Sequence, residues 1–206
     1  MMKKMDFLKR WEPRKDVRKP KGPLRPQIEE AIKIITIQIQ KLDLKSLRIK
    51  DYDKALFEKV VTSYRNRDTA RAKIFANELT EVRKLAKMIY LTRLVLEQIS
   101  VRLNTVKEYG DVAANVAPAL EVMNKIYGGL TQVVPEADSS AFKLNDLLES
   151  VLVDATQYTG RPIDASYASE EGMSILKEAA SAAEAKLSKT LPDLSNIERK
   201  WEMQGF

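Results

Sequence analysis

Residues 28–42 of the chain are IEEAIKIITIQIQKL. Their apolar positions Ile28, Ile32, Ile35, Ile39 and Leu42 are separated by steps of four and three, which is typical of a helix that packs along one seam. The alternation within residues 32–39 would also suit a strand, but the surrounding Lys, Glu and Gln and the absence of hairpin turns favour a helix. Because the stripe resumes through residues 52–64, we predict one long helix over about 28–64.

A second helix is predicted over about residues 70–108. Arg65-Asn66-Arg67-Asp68 interrupts the first stripe, and the Asp68 carboxylate can accept the first free N–H groups of the next helix. Apolar residues then recur mostly at steps of 3, 4 or 7 until Gly110 ends the pattern. Two antiparallel helices of this length would each extend about 55–60 Å. So elongated a hairpin suits an assembling rod better than a compact enzyme.

Shorter helices are predicted after Gly110. Asp111 can cap a segment to about residue 127, which Pro118 should kink or restart. Gly128-Gly129 and Pro135 predict a break, followed by a helix around residues 144–152. Residues 155–168 are typical of a linker, and Ser169 is a candidate cap for an Ala-rich helix whose seam is Met173, Leu176, Ala180, Ala183 and Leu187. Residues 195–198, SNIE, match a capping box ahead of a short terminal helix.

Composition excludes several kinds of chemistry. The 206 residues include no Cys and no His, so the chain has no thiolate metal site, no cysteine nucleophile and no imidazole base. No Gly-rich phosphate loop is present. Carboxylate pairs such as Asp51/Asp53 and Glu170/Glu171 are expected to be surface or cap charges. We expect no enzymatic activity and no cofactor.

The charge is divided between the two halves of the chain. Residues 1–110 hold 27 Lys and Arg against 14 Asp and Glu, whereas residues 111–206 hold 8 against 15. The net charge is therefore +13 for residues 1–110 and −7 for residues 111–206. This division predicts an anionic partner for the front half and self-contact between the halves.

The N-terminal segment has the composition of an amphipathic membrane anchor. On a helix its apolar residues would gather on one side and its cations around the other, and such a face inserts at the headgroup boundary of acidic lipid. A disordered basic tail and a nucleic-acid contact are the alternatives. The candidate membrane-binding residues are Met1, Lys3, Lys4, Met5, Phe7, Leu8, Lys9, Arg10 and Trp11.

Residues 68–79, DTARAKIFANEL, followed by Arg83-Lys84, resemble a recurrent stretch of the ESCRT-III family. As a pattern the resemblance covers about residues 1–195. The chain is similar to a short archaeal cell-division (CdvB-type) paralogue lacking the C-terminal winged helix. It implies an all-α fold: a basic membrane-binding segment over 1–26, a helical core over 27–154 with its hairpin at about 28–108 and shorter helices at 111–154, and a linker, regulatory helix and tail over 155–206.

The resemblance also implies a function. The expected role is that of a membrane-remodelling filament subunit in cell division and membrane scission. Its expected location is the inner face of the cell membrane, as a peripheral cytoplasmic protein at the division site. The expected partners are further copies of the chain, related paralogues, an acidic lipid membrane and the AAA ATPase that disassembles such filaments. The alternatives are a soluble coiled-coil scaffold and a nucleic-acid-binding helical protein, although few aromatics accompany the basic residues.

The hairpin carries a candidate basic surface that would meet membrane or acidic neighbouring subunits; an ordinary solvated face is the plain alternative. Its residues are Arg65, Arg67, Arg71, Lys73, Arg83, Lys84 and Lys87. Candidate hinges, which would let the acidic half fold onto the hairpin and swing away in a filament, are Gly110, Pro118, Gly128 and Gly129.

The resemblance implies one more candidate site, an ATPase-binding tail formed by Leu187, Leu191, Pro192 and Leu194. The stretch resembles the family's helical ATPase-recruiting motif, whose leucines lie on one face, but Pro192 disfavours a helix there. The extended Leu-Pro-x-hydrophobic version accommodates that proline and is the favoured interpretation. An ordinary helix stop is the remaining alternative.

Overall fold

The isoleucine stripe lies in α1, Leu24–Arg65, which pairs with α2, Thr69–Tyr109. In this computed structural model the described residues are 23–159 and 164–191. Asp68 caps α2 by accepting a hydrogen bond from the backbone N–H of Arg71, and Gly110 ends α2 in the left-handed conformation at φ 79°. The predicted long hairpin is confirmed, and each of its helices is about 60 Å long.

Three shorter helices follow. They are α3, Val112–Val133, α4, Asp138–Thr159, and α5, Ala165–Thr190, and a 3-10 turn at Pro135–Ala137 precedes α4. The described residues contain no strand. The all-α class is therefore confirmed.

A large core surrounds one half of the hairpin, which we call the hairpin base, residues 28–42 and 89–106. Here α3, α4 and α5 pack against α1 and α2. Each fully buried aliphatic side chain contributes about 1.5–3 kcal/mol. The largest of them are Ile35, Leu42, Ile89, Leu96, Ile99, Leu103, Met123, Leu130, Leu144 and Leu148.

The other half of the hairpin, residues 49–82, is called the hairpin tip. Its separate buried cluster comprises only Leu56, Val60, Leu79 and Val82. Around this cluster the partly buried apolar residues all belong to α1 and α2. The tip is thus a two-helix rod that extends beyond the helical bundle.

The predicted break at Gly128-Gly129 is wrong, because α3 continues through both glycines to Val133. Glycine weakens a helix by about 1 kcal/mol relative to alanine, but the burial of Ile126, Leu130 and Val133 holds this turn in the core. A Cβ at Gly129 would lie 3.7 Å from the Met88 side chain. The chain breaks instead at Val134, just before Pro135.

Pro118 lies inside α3, which is continuous across it. Of the two outcomes predicted there, a kink or a restart, the restart is wrong. The predicted boundaries around α5 also differ from the structure. The predicted linker 155–168 is too wide, since α4 extends to Thr159 and α5 begins at Ala165. The cap of α5 is not Ser169 but Asp164, whose carboxylate accepts hydrogen bonds from the N–H groups of Ser166 and Tyr167.

Candidate functional site

The turn at the end of the hairpin holds part of the predicted basic surface. Arg65, Arg67 and Lys73 are exposed, and among residues 23–159 and 164–191 none of them has an ion-pair partner. Arg71 is also exposed and lies 3.3 Å from the capping carboxylate of Asp68. The end of the hairpin therefore presents a small cluster of cations to its surroundings.

Arg83 does not belong to that exposed surface. Its Nε donates to Asp53 Oδ1 at 2.8 Å and its Nη2 to Oδ2 at 3.4 Å, and the Asp53 side chain is 1% exposed. The expectation that Asp53 is a surface charge is wrong. It lies between Ile49 and Leu56 at steps of four and three, so the helical spacing already placed it on the seam.

Lys84 and Lys87 lie nearer the base and face different partners. Lys84 pairs with Glu81 of its own helix at 2.7 Å. Lys87 reaches across to Glu184 of α5 and lowers the pKa of that carboxyl through a hydrogen bond and charge attraction. The predicted basic surface is thus divided between exposed cations at the turn and cations that hold the acidic half of the chain.

Contacts of charged side chains connect α5 to α2 from Glu171 to Lys186. Arg102 Nη2 donates to Glu171 Oε2 at 2.7 Å, and Lys186 Nζ lies 5.2 Å from the centre of the Tyr90 ring. Together with Lys87–Glu184, these contacts pair α5 with α2 in the antiparallel sense. The structure therefore shows the acidic back half folded onto the hairpin, as the division of charge predicts.

The apolar face of α5 matches the predicted seam at Ala183 and differs from it elsewhere. Met173 is exposed, and Leu176 and Leu187 are only partly buried. The buried positions are Ala168, Gly172, Ile175, Ala179 and Ala183.

Small side chains decided this choice of face, because they let α5 approach α3 closely. A Cβ at Gly172 would lie 3.2 Å from Glu121 Cγ and Val122 Cγ2. The sequence shows these small residues, but it does not show which helix they meet.

Ion pairs also connect the base of the hairpin to its neighbours. Lys107 bonds Glu29 at 3.0 Å and Lys143 of α4 bonds Glu30 at 2.5 Å, and each lysine lowers the pKa of its partner carboxyl. Beside them Gln27 Nε2 donates to Asp154 Oδ2 at 3.1 Å in a buried contact between α1 and α4. The start of α1 is therefore held by both of its neighbours.

The four predicted hinge residues occupy different situations. Gly110 lies at the joint between α2 and α3, where its positive φ favours glycine. Pro118, Gly128 and Gly129 all lie within α3. A pivot at Gly110 would move the rest of the chain relative to the hairpin, and the hinge role itself remains a prediction.

The predicted tail begins where α5 ends. Leu187 is in the last turn, the helix ends at Thr190, and Leu191 is extended at φ −105° and ψ 140°. A residue that precedes proline avoids the helical region. Pro192 and Leu194 lie outside the described residues, as do the candidate membrane-binding residues 1–11.

The described part of the chain shows no arrangement for metal chemistry or for crossing a bilayer. Within residues 23–159 and 164–191 no group of three or more Asp and Glu is placed to hold a metal ion. No helix in the same ranges is long and apolar enough to span a membrane. The features that stand out there are surfaces and interhelical contacts.

Comparison with known proteins identifies the family. No protein-family model and no solved structure matches the chain. It is 36% identical over 192 residues to cell division protein B1 of Sulfolobus acidocaldarius, across 92% of this chain and 89% of that protein. It is 29% identical over 177 residues to cell division protein B of the same organism, across 86% and 68%. The chain therefore belongs to the archaeal cell-division (CdvB-type) family of ESCRT-III proteins.

Proposed function

We propose that this protein is a filament subunit that polymerises on acidic membranes and remodels them during cell division. Family membership supports the role in cell division. The observation that carries the finer proposal is the hairpin itself, a rod of about 60 Å whose tip extends beyond the bundle. A rod with exposed flanks can contact several neighbours along its length.

The proposed cycle begins with the folded-back form. In it, α5 is held on α2 by Lys87–Glu184 and Arg102–Glu171, both of which are partly exposed ion pairs. Pairs of this kind contribute little each and are weakened by salt. Release of α5 would expose its glutamates and the basic side of α2 to other subunits at a small energetic cost.

Membrane contact is assigned to residues 1–11 together with the cations of the hairpin turn, Arg65, Arg67 and Lys73. Each cation close to an acidic leaflet contributes about 1 kcal/mol. An AAA ATPase would then remodel the filament by gripping the tail that begins at Leu187. Related paralogues are proposed as co-assembling subunits, at the inner face of the membrane at the division site.

Electron microscopy with acidic vesicles tests the proposal. We expect the full chain to coat or tubulate vesicles, and a variant lacking residues 1–12 to lose most of this activity. A matched variant with Leu8→Ser and Trp11→Ser keeps every charge and removes part of the apolar face, so it separates insertion from attraction. Full-length protein that leaves vesicles unaltered at low salt but is retained on DNA would contradict the proposal in favour of the nucleic-acid alternative.

A further inference from the structure

The outward face of α1 in the hairpin base carries a regular stripe of cations and aliphatic residues. Ile37 is 42% exposed and Leu44 is 60% exposed, with Leu47 beside them at 62%. The only acidic residue within 33–48, Asp43, bonds to Arg93 across the hairpin. We call this face the basic α1 stripe; it consists of Lys33, Ile37, Lys41, Leu44 and Arg48, at steps of 4, 4, 3 and 4.

The outward face of α4 carries a stripe of the opposite charge with the same spacing. Phe142 is 70% exposed, so a large aromatic ring faces solvent. The cation nearest to it in sequence, Lys143, turns aside to bond Glu30 of α1. We call this face the acidic α4 stripe; it consists of Asp138, Phe142, Asp146, Glu149 and Val153, again at steps of 4, 4, 3 and 4.

The two stripes match in length, charge and apolar content. Each spans sixteen residues along its helix, about 22 Å from the first to the last. An acidic face is repelled by an acidic membrane, so a basic surface with apolar side chains is the partner that could cover Phe142. Because Phe142 and Leu44 are both largely exposed, the stripes do not cover each other within one molecule.

We propose that the basic α1 stripe of one copy packs in the parallel sense against the acidic α4 stripe of a second copy, so that Lys33, Ile37 and Lys41 lie opposite Asp138, Phe142 and Asp146. This inference rests on the proposed filament function and specifies which surfaces join its subunits. Since the two stripes are different surfaces, one copy of a joined pair still has its acidic α4 stripe free for contact and the other still has its basic α1 stripe. Further copies can therefore add at both ends.

Reciprocal charge reversal tests the contact. The first variant carries Lys41→Glu and Arg48→Glu, and the second carries Asp146→Lys and Glu149→Lys. Each variant alone has two like-charged stripes and should associate at least tenfold more weakly than the unaltered chain. An equimolar mixture restores both opposite-charge pairings, so association in analytical ultracentrifugation should return.

A control has the same charge change elsewhere. Lys177→Glu with Lys189→Glu alters exposed residues of α5 by the same amount as the first variant, and association should stay unchanged. The uncharged variants Leu44→Ser and Phe142→Ser, both at exposed positions, should weaken association without altering helical content in circular dichroism.

Cross-linking makes the test independent of membranes. The chain has no cysteine, so copies with Ile37→Cys can be mixed under oxidation with differently tagged copies carrying Phe142→Cys. We expect a disulfide-linked heterodimer, and none when Phe142→Cys is replaced by Tyr167→Cys on α5. Cross-linking in a chain that leaves vesicles unaltered would support the interface while contradicting the membrane proposal.

Two results would overturn the inference. One is the absence of the heterodimer both in solution and on acidic vesicles. The other is a loss of vesicle pelleting by the first variant that the second variant does not restore, because this result would assign the α1 stripe to lipid.

Discussion

The base and the tip of the hairpin are built from the same two helices but are stabilised differently. In the base, α1 and α2 are surrounded by α3, α4 and α5, and Leu96 and Leu103 are fully enclosed. In the tip, within the described part of the chain, the two helices pack on each other through one cluster of four buried apolar residues and the Asp53–Arg83 ion pair. The comparison indicates that one continuous hairpin combines a rigid anchor with an arm available for contacts.

The largest expected effect is at the base. Leu96→Ala should lower the free energy of unfolding by about 3–5 kcal/mol, because the enclosed site cannot collapse around the cavity. The matched tip variant Leu79→Ala should cost less, about 2–3 kcal/mol, since two helices alone can move together. Chemical denaturation of both variants measures the difference, and equal losses would contradict the division into base and tip.

The ion pair in the tip should have the next largest effect. Asp53→Ala removes the carboxylate that the Arg83 guanidinium contacts in a site that is only 21% exposed, so a loss of about 2–3 kcal/mol is expected. Replacing both residues by Leu should recover most of that loss. Asp51→Ala, at an exposed position two residues away, is the control and should change stability by less than about 0.5 kcal/mol.

The turn at the end of the tip should respond in the opposite direction. Arg67 has φ 59°, a conformation that costs a non-glycine residue about 1–2 kcal/mol. Arg67→Gly should therefore raise the unfolding free energy by up to about 1 kcal/mol, and Arg65→Gly, within the helix, should lower it by a similar amount. A destabilised Arg67→Gly variant in thermal unfolding would count against strain at this turn.

A smaller effect is expected where α5 meets α2. Lys87→Glu places like charges opposite each other. The amide hydrogen exchange rate of α5 should therefore rise by up to about fivefold, while the core of the base stays protected. Adding Glu184→Lys should restore the slower exchange. Lys73→Glu at the tip is the control. If this variant accelerated the exchange of α5 equally, the effect would come from net charge alone.

Lowering the pH should have the smallest effect, again on the Lys87–Glu184 contact. Lys87 lowers the pKa of Glu184 below its ordinary 4.5, so the ionised carboxylate stabilises the folded-back form above that pH. The contribution is lost as pH falls through the lowered value. Exchange of α5, corrected for its intrinsic pH dependence, should be constant from pH 7 to 5 and rise below about 4.5, and Glu184→Gln should reduce this rise.

Much of the hairpin follows from local sequence signals. The isoleucine steps, the Asp68 cap and the glycine at 110 specify two long helices and their joints, because helical periodicity and caps act over a few residues. The same reasoning failed at Gly128-Gly129, where packing against α2 outweighs the low helix propensity of glycine.

The charged residues show what only the tertiary structure decided. Arg65 and Arg83 look alike in the sequence, yet one is exposed at the turn and the other is paired with Asp53 inside the hairpin. The cation that pairs with Glu184 is Lys87, about a hundred positions away in the sequence. The small residue Gly172 of α5 faces Glu121 and Val122 of α3, about fifty positions away. Helix periodicity is encoded within a few turns of the chain, whereas charge pairing and close approach are set by the three-dimensional arrangement of the helices.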